Sequence, residues 1–162
     1  MRRSVRLGVV ALASVALAAA VTVAGPRSAP AAAATTGCSE ADARAASQKY
    51  LDALLDRHAA WSVPAERFVL RVENGVPTAF TAFDLKLGLY LHLQYSLFSS
   101  IENLVWTWQP DGRAHVIRAV YDLPIEVAGR AVASSTVVED FTLTPACLIK
   151  RIDATFTVDP PG

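Results

Sequence analysis

The chain has 162 residues, 15 basic and 15 acidic side chains and no formal net charge, and 52% of its residues are apolar. Such a length suits one ordinary domain with a core of its own, and a balanced charge leaves no basic surface for nucleic acid.

The first six residues, Met1-Arg2-Arg3-Ser4-Val5-Arg6, lead into an apolar stretch from Leu7 to Ala24 and then a Pro- and Ala-rich segment. This is the layout of a secretory signal, with Ala32 and Ala34 as the small residues of a cleavage site. It predicts a signal peptide over 1–34, a mature domain over 35–162, and a secreted protein exported across the cytoplasmic membrane. An uncleaved anchor is the alternative, and Arg2-Arg3 also admits a twin-arginine route. Cleavage removes Arg2, Arg3, Arg6 and Arg27, leaving 11 basic against 15 acidic side chains and a net charge of about −4. No membrane contact is expected after cleavage.

Cys38 and Cys147 are the two cysteines, and export permits them to pair. A disulfide is expected. A lipid-modified Cys38 is the rival, but Thr35-Thr36-Gly37-Cys38 has Thr where an aliphatic residue is wanted. Ser39, followed by Glu40 and Asp42, reads as a helix cap with an acidic first turn, and Ala43, Ala46, Tyr50, Ala53 and Leu54 recur at helical spacing over about 39–58. Pro64-Ala65-Glu66-Arg67 reads as a short helical turn. Phe68–Glu73 then alternates as a first strand, stopped at Asn74-Gly75.

Over Thr81–Ser99 the leucines at 85, 87, 89, 91, 93 and 97 fall on alternate residues, a strand pattern, while Leu85, Leu89 and Leu93 also make a helical stripe. The residues alone leave helix and strand open. Four extended segments follow: Ile101–Gln109, His115–Ile125, Arg130–Leu143 and Leu148–Val158. Their breaks, at Pro110-Asp111-Gly112, Ala128-Gly129 and Pro145-Ala146, are turn signals. An antiparallel meander is predicted, with Leu148, Ile152, Ala154, Phe156 and Val158 on one face of the last strand.

Several side chains could carry chemistry. His92 stands in the leucine-rich segment beside Tyr90 and Tyr95, where a buried imidazole could act as a general base, although a core histidine explains it equally well. Arg118 and Asp122 share a face of one strand with Val116 and Val120. A structural ion pair is the plainer account of them, a pocket pair the sharper one. Trp106 and Trp108 alternate on one face and could line a hydrophobic cavity, with core packing as the default. Glu139 and Asp140 are adjacent on a strand, point to opposite faces and so cannot act together. No His, Cys, Asp or Glu cluster stands at metal-ligand spacing, so neither metal nor cofactor is expected.

The order of elements, with Val72-Glu73-Asn74-Gly75 closing the first strand and Glu139-Asp140-Phe141-Thr142-Leu143 leading through a turn to Leu148-Ile149-Lys150-Arg151-Ile152, resembles the nuclear transport factor 2-like (SnoaL-like) superfamily. The resemblance covers about 39–158. It implies an α+β fold in which a curved antiparallel sheet wraps around helices as a cone with a pocket, and it favours helix over 82–97. Such folds serve isomerases, dehydratases, cyclases, epoxide hydrolases and non-catalytic binding modules, so the fold does not choose among them. In the limonene epoxide hydrolase branch, Asn74 and Arg118 match pocket-lining positions. Val72, Val120 and Ala154 stand where that branch places its Tyr and two aspartates, which excludes its water-activating chemistry.

These features predict a secreted cone domain that binds a small hydrophobic molecule or a protein partner without catalysis. Asn74, Tyr90, Tyr95, Trp106, Trp108 and Arg118 are its expected ligand contacts. The alternative is a cofactor-independent lyase or isomerase with His92 or Asp122 as base and Tyr90, Tyr95 or Arg118 stabilising an oxyanion. A self-associating module, with the open sheet face forming a homodimer, is a third reading.

Overall fold

The structure is a computed structural model and describes residues 37–110 and 115–159. The expected signal segment and the Asp111-Gly112 turn lie outside the described residues.

Helix α1 (Glu40–Leu55) starts where the sequence places it. Ser39 accepts a hydrogen bond from the Asp42 N–H at 3.2 Å, which satisfies one of the free donors of the first turn. The buried residues Ala43, Ala46, Ser47, Tyr50, Leu51, Ala53 and Leu54 form one stripe, so the helix is held by the face it packs on the sheet. Asp56 ends α1 and accepts from the His58 N–H at 2.9 Å, opening a short 3₁₀ helix, Arg57–Ser62.

Six strands follow: β1 (Ala65–Glu73), β2 (Val76–Ala79), β3 (Glu102–Pro110), β4 (His115–Val127), β5 (Arg130–Leu143) and β6 (Ile149–Asp159). They form one sheet in the order β2-β1-β6-β5-β4-β3. The last four reproduce the predicted meander, each joined antiparallel to the next. Asn74 and Gly75 at φ 46° and 84° make the β1–β2 hairpin, and Ala128 and Gly129 at 51° and 73° make the β4–β5 hairpin. Two consecutive positive φ values match the right-handed twist of the strands, which is why such turns stand there.

Three features depart from the expectation. The sheet is mixed, because β1 lies parallel to β6, and the whole chain from β2 to β5 supplies the long crossover a parallel pair needs. The predicted turn over 64–67 is strand from Ala65, drawn into the sheet where the Ile149 N–H donates to the Pro64 carbonyl at 2.7 Å. On β6 it is Ile149 that is buried and Leu148 that is exposed, since a register shift against β5 between Thr142 and Leu143 turns the strand's start over.

The leucine-rich segment is helical at its core. Helix α2 (Ala82–Leu91) begins at Thr81, whose hydroxyl accepts from the Asp84 N–H at 3.1 Å, and stops at His92 in the left-handed conformation (φ 56°). A short 3₁₀ turn, Tyr95–Leu97, follows. Leucines spaced by two cannot share one side of a helix. Leu85 and Leu89, four apart, are buried, whereas Leu93 is 81% exposed.

Cys38 and Cys147 form a disulfide that ties the approach to α1 to the β5–β6 turn across 109 residues. In the chain-entropy account such a loop constrains the unfolded chain by about 4–5 kcal/mol.

Candidate functional site

Strand alternation sorts the side chains of β4 and β5 into two faces. Ile117, Ala119, Tyr121 and Leu123 of β4, with Ser135, Val137, Glu139 and Phe141 of β5, face α1 and are buried. β1 adds Val69 and Arg71 to the same interior. Between this concave face and the Tyr95–Phe98 turn lies a cavity of about 230 Å³.

The cavity has two zones. Its open side is apolar, with the partly exposed Phe98, Ile125, Phe156 and Val158 at the rim. Its floor is polar. Glu139 is 1% exposed and Arg71 7%, with Glu73, Tyr95 and Tyr121 beside them. Arg71 bonds Glu73 at 2.8 Å and lies between two rings, 5.6 Å from the centroids of both Tyr50 and Tyr95. Those faces attract the guanidinium and shield it from water. The ion pair with Glu73 engages one terminal nitrogen of the guanidinium, and the buried Nε–H has no protein partner.

Tyr121 donates to Glu139 Oε2 at 2.8 Å. Burial pushes the Glu139 carboxyl above the usual range, against the pull of Arg71 and of the Tyr121 hydrogen bond. Burial also raises the Tyr50 and Tyr121 phenols well above their ordinary value, so both remain neutral donors. For Arg71 burial acts downward, yet the surrounding tyrosines and the Glu139 and Glu73 carboxylates outweigh it and keep the cation charged. The floor thus brings together the Arg71 cation, the Glu73 carboxylate and a Glu139 carboxyl that burial shifts toward its neutral form.

Of the side chains singled out from the sequence, Tyr95 lines this cavity. His92 caps α2, and its Nε2 lies 2.8 Å from the Leu54 carbonyl. A carbonyl only accepts, so Nε2 carries the proton. Asp122 lies on the opposite face of the sheet, accepting from Asn103 and Thr136 at 2.8 Å each, and these bonds hold its carboxyl below the usual value. Arg118 shares that outer face but pairs with Asp140 of β5, at 2.8 and 2.7 Å, in place of the expected Asp122. Directly opposed strand positions bring Arg118 and Asp140 together.

Asn74 staples the β1–β2 turn to β6, accepting from the Phe156 N–H at 3.0 Å and donating to the Phe156 carbonyl at 3.3 Å. It positions a cavity wall without being part of it. Tyr90 packs against Trp61 and Arg57 on the far side of α2. Trp106 packs on Phe141, and Trp108 stacks on His115.

The sequence reading passed over Arg71, Glu73, Tyr121 and the inward role of Glu139. The signal was present for one of them. Glu139 interrupts an otherwise apolar alternation on its strand, between Val137 and Phe141, whereas Arg71 stands between Val69 and Glu73 in a strand face of mixed character that gives no such cue.

No protein-family model matches the chain, and no curated protein does. Solved structures do. The chain is similar to the Mtr2–Mex67 M domain complex of C. albicans at 12% identity, over 75% of this chain and 97% of that one, with a TM-score of 0.52. It is likewise similar to a de novo designed protein with a curved β-sheet, at 13% identity over 74% and 88% of the two chains, with a TM-score of 0.52. Together with the cavity these likenesses define a curved-sheet α+β cone. At 12–13% identity these likenesses show the fold alone, and that fold is the one the sequence resemblance implies.

Proposed function

We propose that the protein is an exported domain that binds a small, mostly apolar molecule through one neutral oxygen acceptor, such as a carbonyl. The observation that carries this reading is the polar floor of an apolar cavity, where Arg71 keeps an unpartnered Nε–H and Glu139 is held toward its protonated, donating form. A carboxylate ligand fits less well. Glu73 already balances Arg71, and a second anion there would be buried without a cation of its own. Export is supported by the Cys38–Cys147 disulfide, which persists in oxidising compartments. The mature domain over 35–162 belongs to the same proposal.

A second reading, a lyase or isomerase, is favoured by the hydrogen bond from Tyr121 to Glu139. Burial raises the Glu139 carboxyl, which suits it to exchanging a proton, and Arg71 beside it can stabilise an oxyanion. In this reading Glu139 takes the role that the sequence assigns to His92 or Asp122.

Native mass spectrometry of the protein with a panel of small ketones, esters and the matching carboxylates tests the binding proposal. Retention of neutral carbonyl compounds by the wild type, and its loss in Ile125→Trp at the rim, is the expected result. Retention of carboxylates alone, or equal retention by the variant, contradicts it. Deuterium exchange at the carbon beside the carbonyl of a bound ketone, abolished in Glu139→Gln, would establish the second reading.

A further inference from the structure

A second hollow, of about 260 Å³, lies between α2 and the β1–β2 hairpin. Leu85, Leu89, Leu91 and Leu93 wall it on the helix side. Four residues, Arg71, Glu73, Gln94 and Tyr95, line both this hollow and the cone cavity. The two spaces are thus separated by one layer of side chains. Within that layer only Gln94, in the turn after α2, is exposed, so it is the member free to move aside. The apolar side chains Leu91 and Leu93 stand open to solvent beside this divide, at the one stretch where the leucine-rich segment leaves the core.

We propose that the two hollows are the arms of a single bent site, which takes a neutral ketone or ester carrying an alkyl chain on each side of its carbonyl. One arm lies in the cone, the carbonyl oxygen meets Arg71 at the divide, and the second arm runs along Leu89, Leu91 and Leu93. This rests on the neutral-acceptor reading above and adds to it the shape of the ligand. The occupant of the second hollow follows from continuity. Arg71, which lines both spaces, is the donor for the acceptor oxygen, and a molecule held there in the middle has the apolar cone on one side and the leucine wall of the second hollow on the other, with Thr78 and Asp84 at that hollow's remaining edge.

Gly88 of α2 provides the test. It lines the second hollow and not the cone cavity, and a Cβ built there meets no atom within 4 Å. Gly88→Leu therefore places an apolar side chain at the wall of that hollow, with room for its Cβ, and adds a better helix former.

The probes are 2-hexanone, with one butyl arm, and 5-nonanone, with two, titrated by NMR against the whole protein. Three further methylenes leaving water give the wild type at least about tenfold tighter binding of 5-nonanone. In Gly88→Leu that ratio falls to about one. Leu93→Ser, at an exposed position, lowers it in the same direction. A wild type that binds 2-hexanone but gains nothing from the second arm, or a ratio unmoved by both variants, overturns the bent site and leaves the cone reading standing. Failure of the wild type to bind either ketone overturns both.

Discussion

Glu139 and Asp140 are neighbours in the chain, and the two faces of the sheet give them opposite surroundings. Asp140, outside, takes a two-pronged bond from Arg118 across the β4–β5 ladder, with both side chains still wetted. Glu139, inside, meets Tyr121 and the field of Arg71 and is itself almost wholly shut off from solvent. Coulomb attraction scales inversely with the effective dielectric, so the outer pair gains little and the inner cluster is costly to disturb. Charge alone therefore does not mark a site in this fold; charge on the concave face does.

Arg71→Met is the most severe way to break the comparison. It leaves the buried Glu139 and the half-buried Glu73 without their cation and is expected to cost about 3–5 kcal/mol in urea unfolding, as loss of one partner from a buried charge pair does. Tyr121→Phe removes one hydrogen bond while preserving shape, and about 1–2 kcal/mol is expected by the same measurement. Arg118→Met, the outer counterpart of the first change, is expected to cost at most about 1 kcal/mol. Equal costs for the two arginine variants would contradict the contrast between the faces.

Acidity sharpens the same contrast. The Glu139 carboxyl is raised in the folded state, so its contribution to stability is complete below its unfolded value and is lost as pH rises through the folded one. Thermal melting of the wild type and of Glu139→Gln should therefore diverge as pH rises from acid, with the glutamine variant gaining on the wild type. Parallel curves would show that Glu139 ionises without penalty.

Much of the fold was legible because it is written locally. Ser39 with its acidic first turn, Asn74-Gly75 and Ala128-Gly129 each demand one backbone geometry, and the four strands of the meander fall within two residues of their predicted ends, whereas β1 starts three residues early and the short β2 was not predicted. The parallel pairing of β1 with β6 joins the ends of the domain and leaves no local trace. The leucine run was ambiguous because a spacing of two fits a strand, while tertiary packing uses only Leu85 and Leu89.

The candidate site was legible in part. Tyr95 was named from its neighbourhood, but attention to histidines and acid pairs passed over Arg71 and left open which of Glu139 and Asp140 faces inward. Their significance depends on which way each strand faces and on how deep the concave side lies. A charged residue within an apolar alternation is the sequence signature that carries both.

The most direct measurement is the side-chain carboxyl shift of Glu139, followed by carbon-13 NMR as pH is varied in the free protein. A titration above the ordinary glutamate range means that the floor of the cone is dry and the carboxyl is kept as a donor. A titration at or below that range would mean that water or an unshielded Arg71 keeps Glu139 ionised, and the account of the cavity as a site for a neutral oxygen would fail.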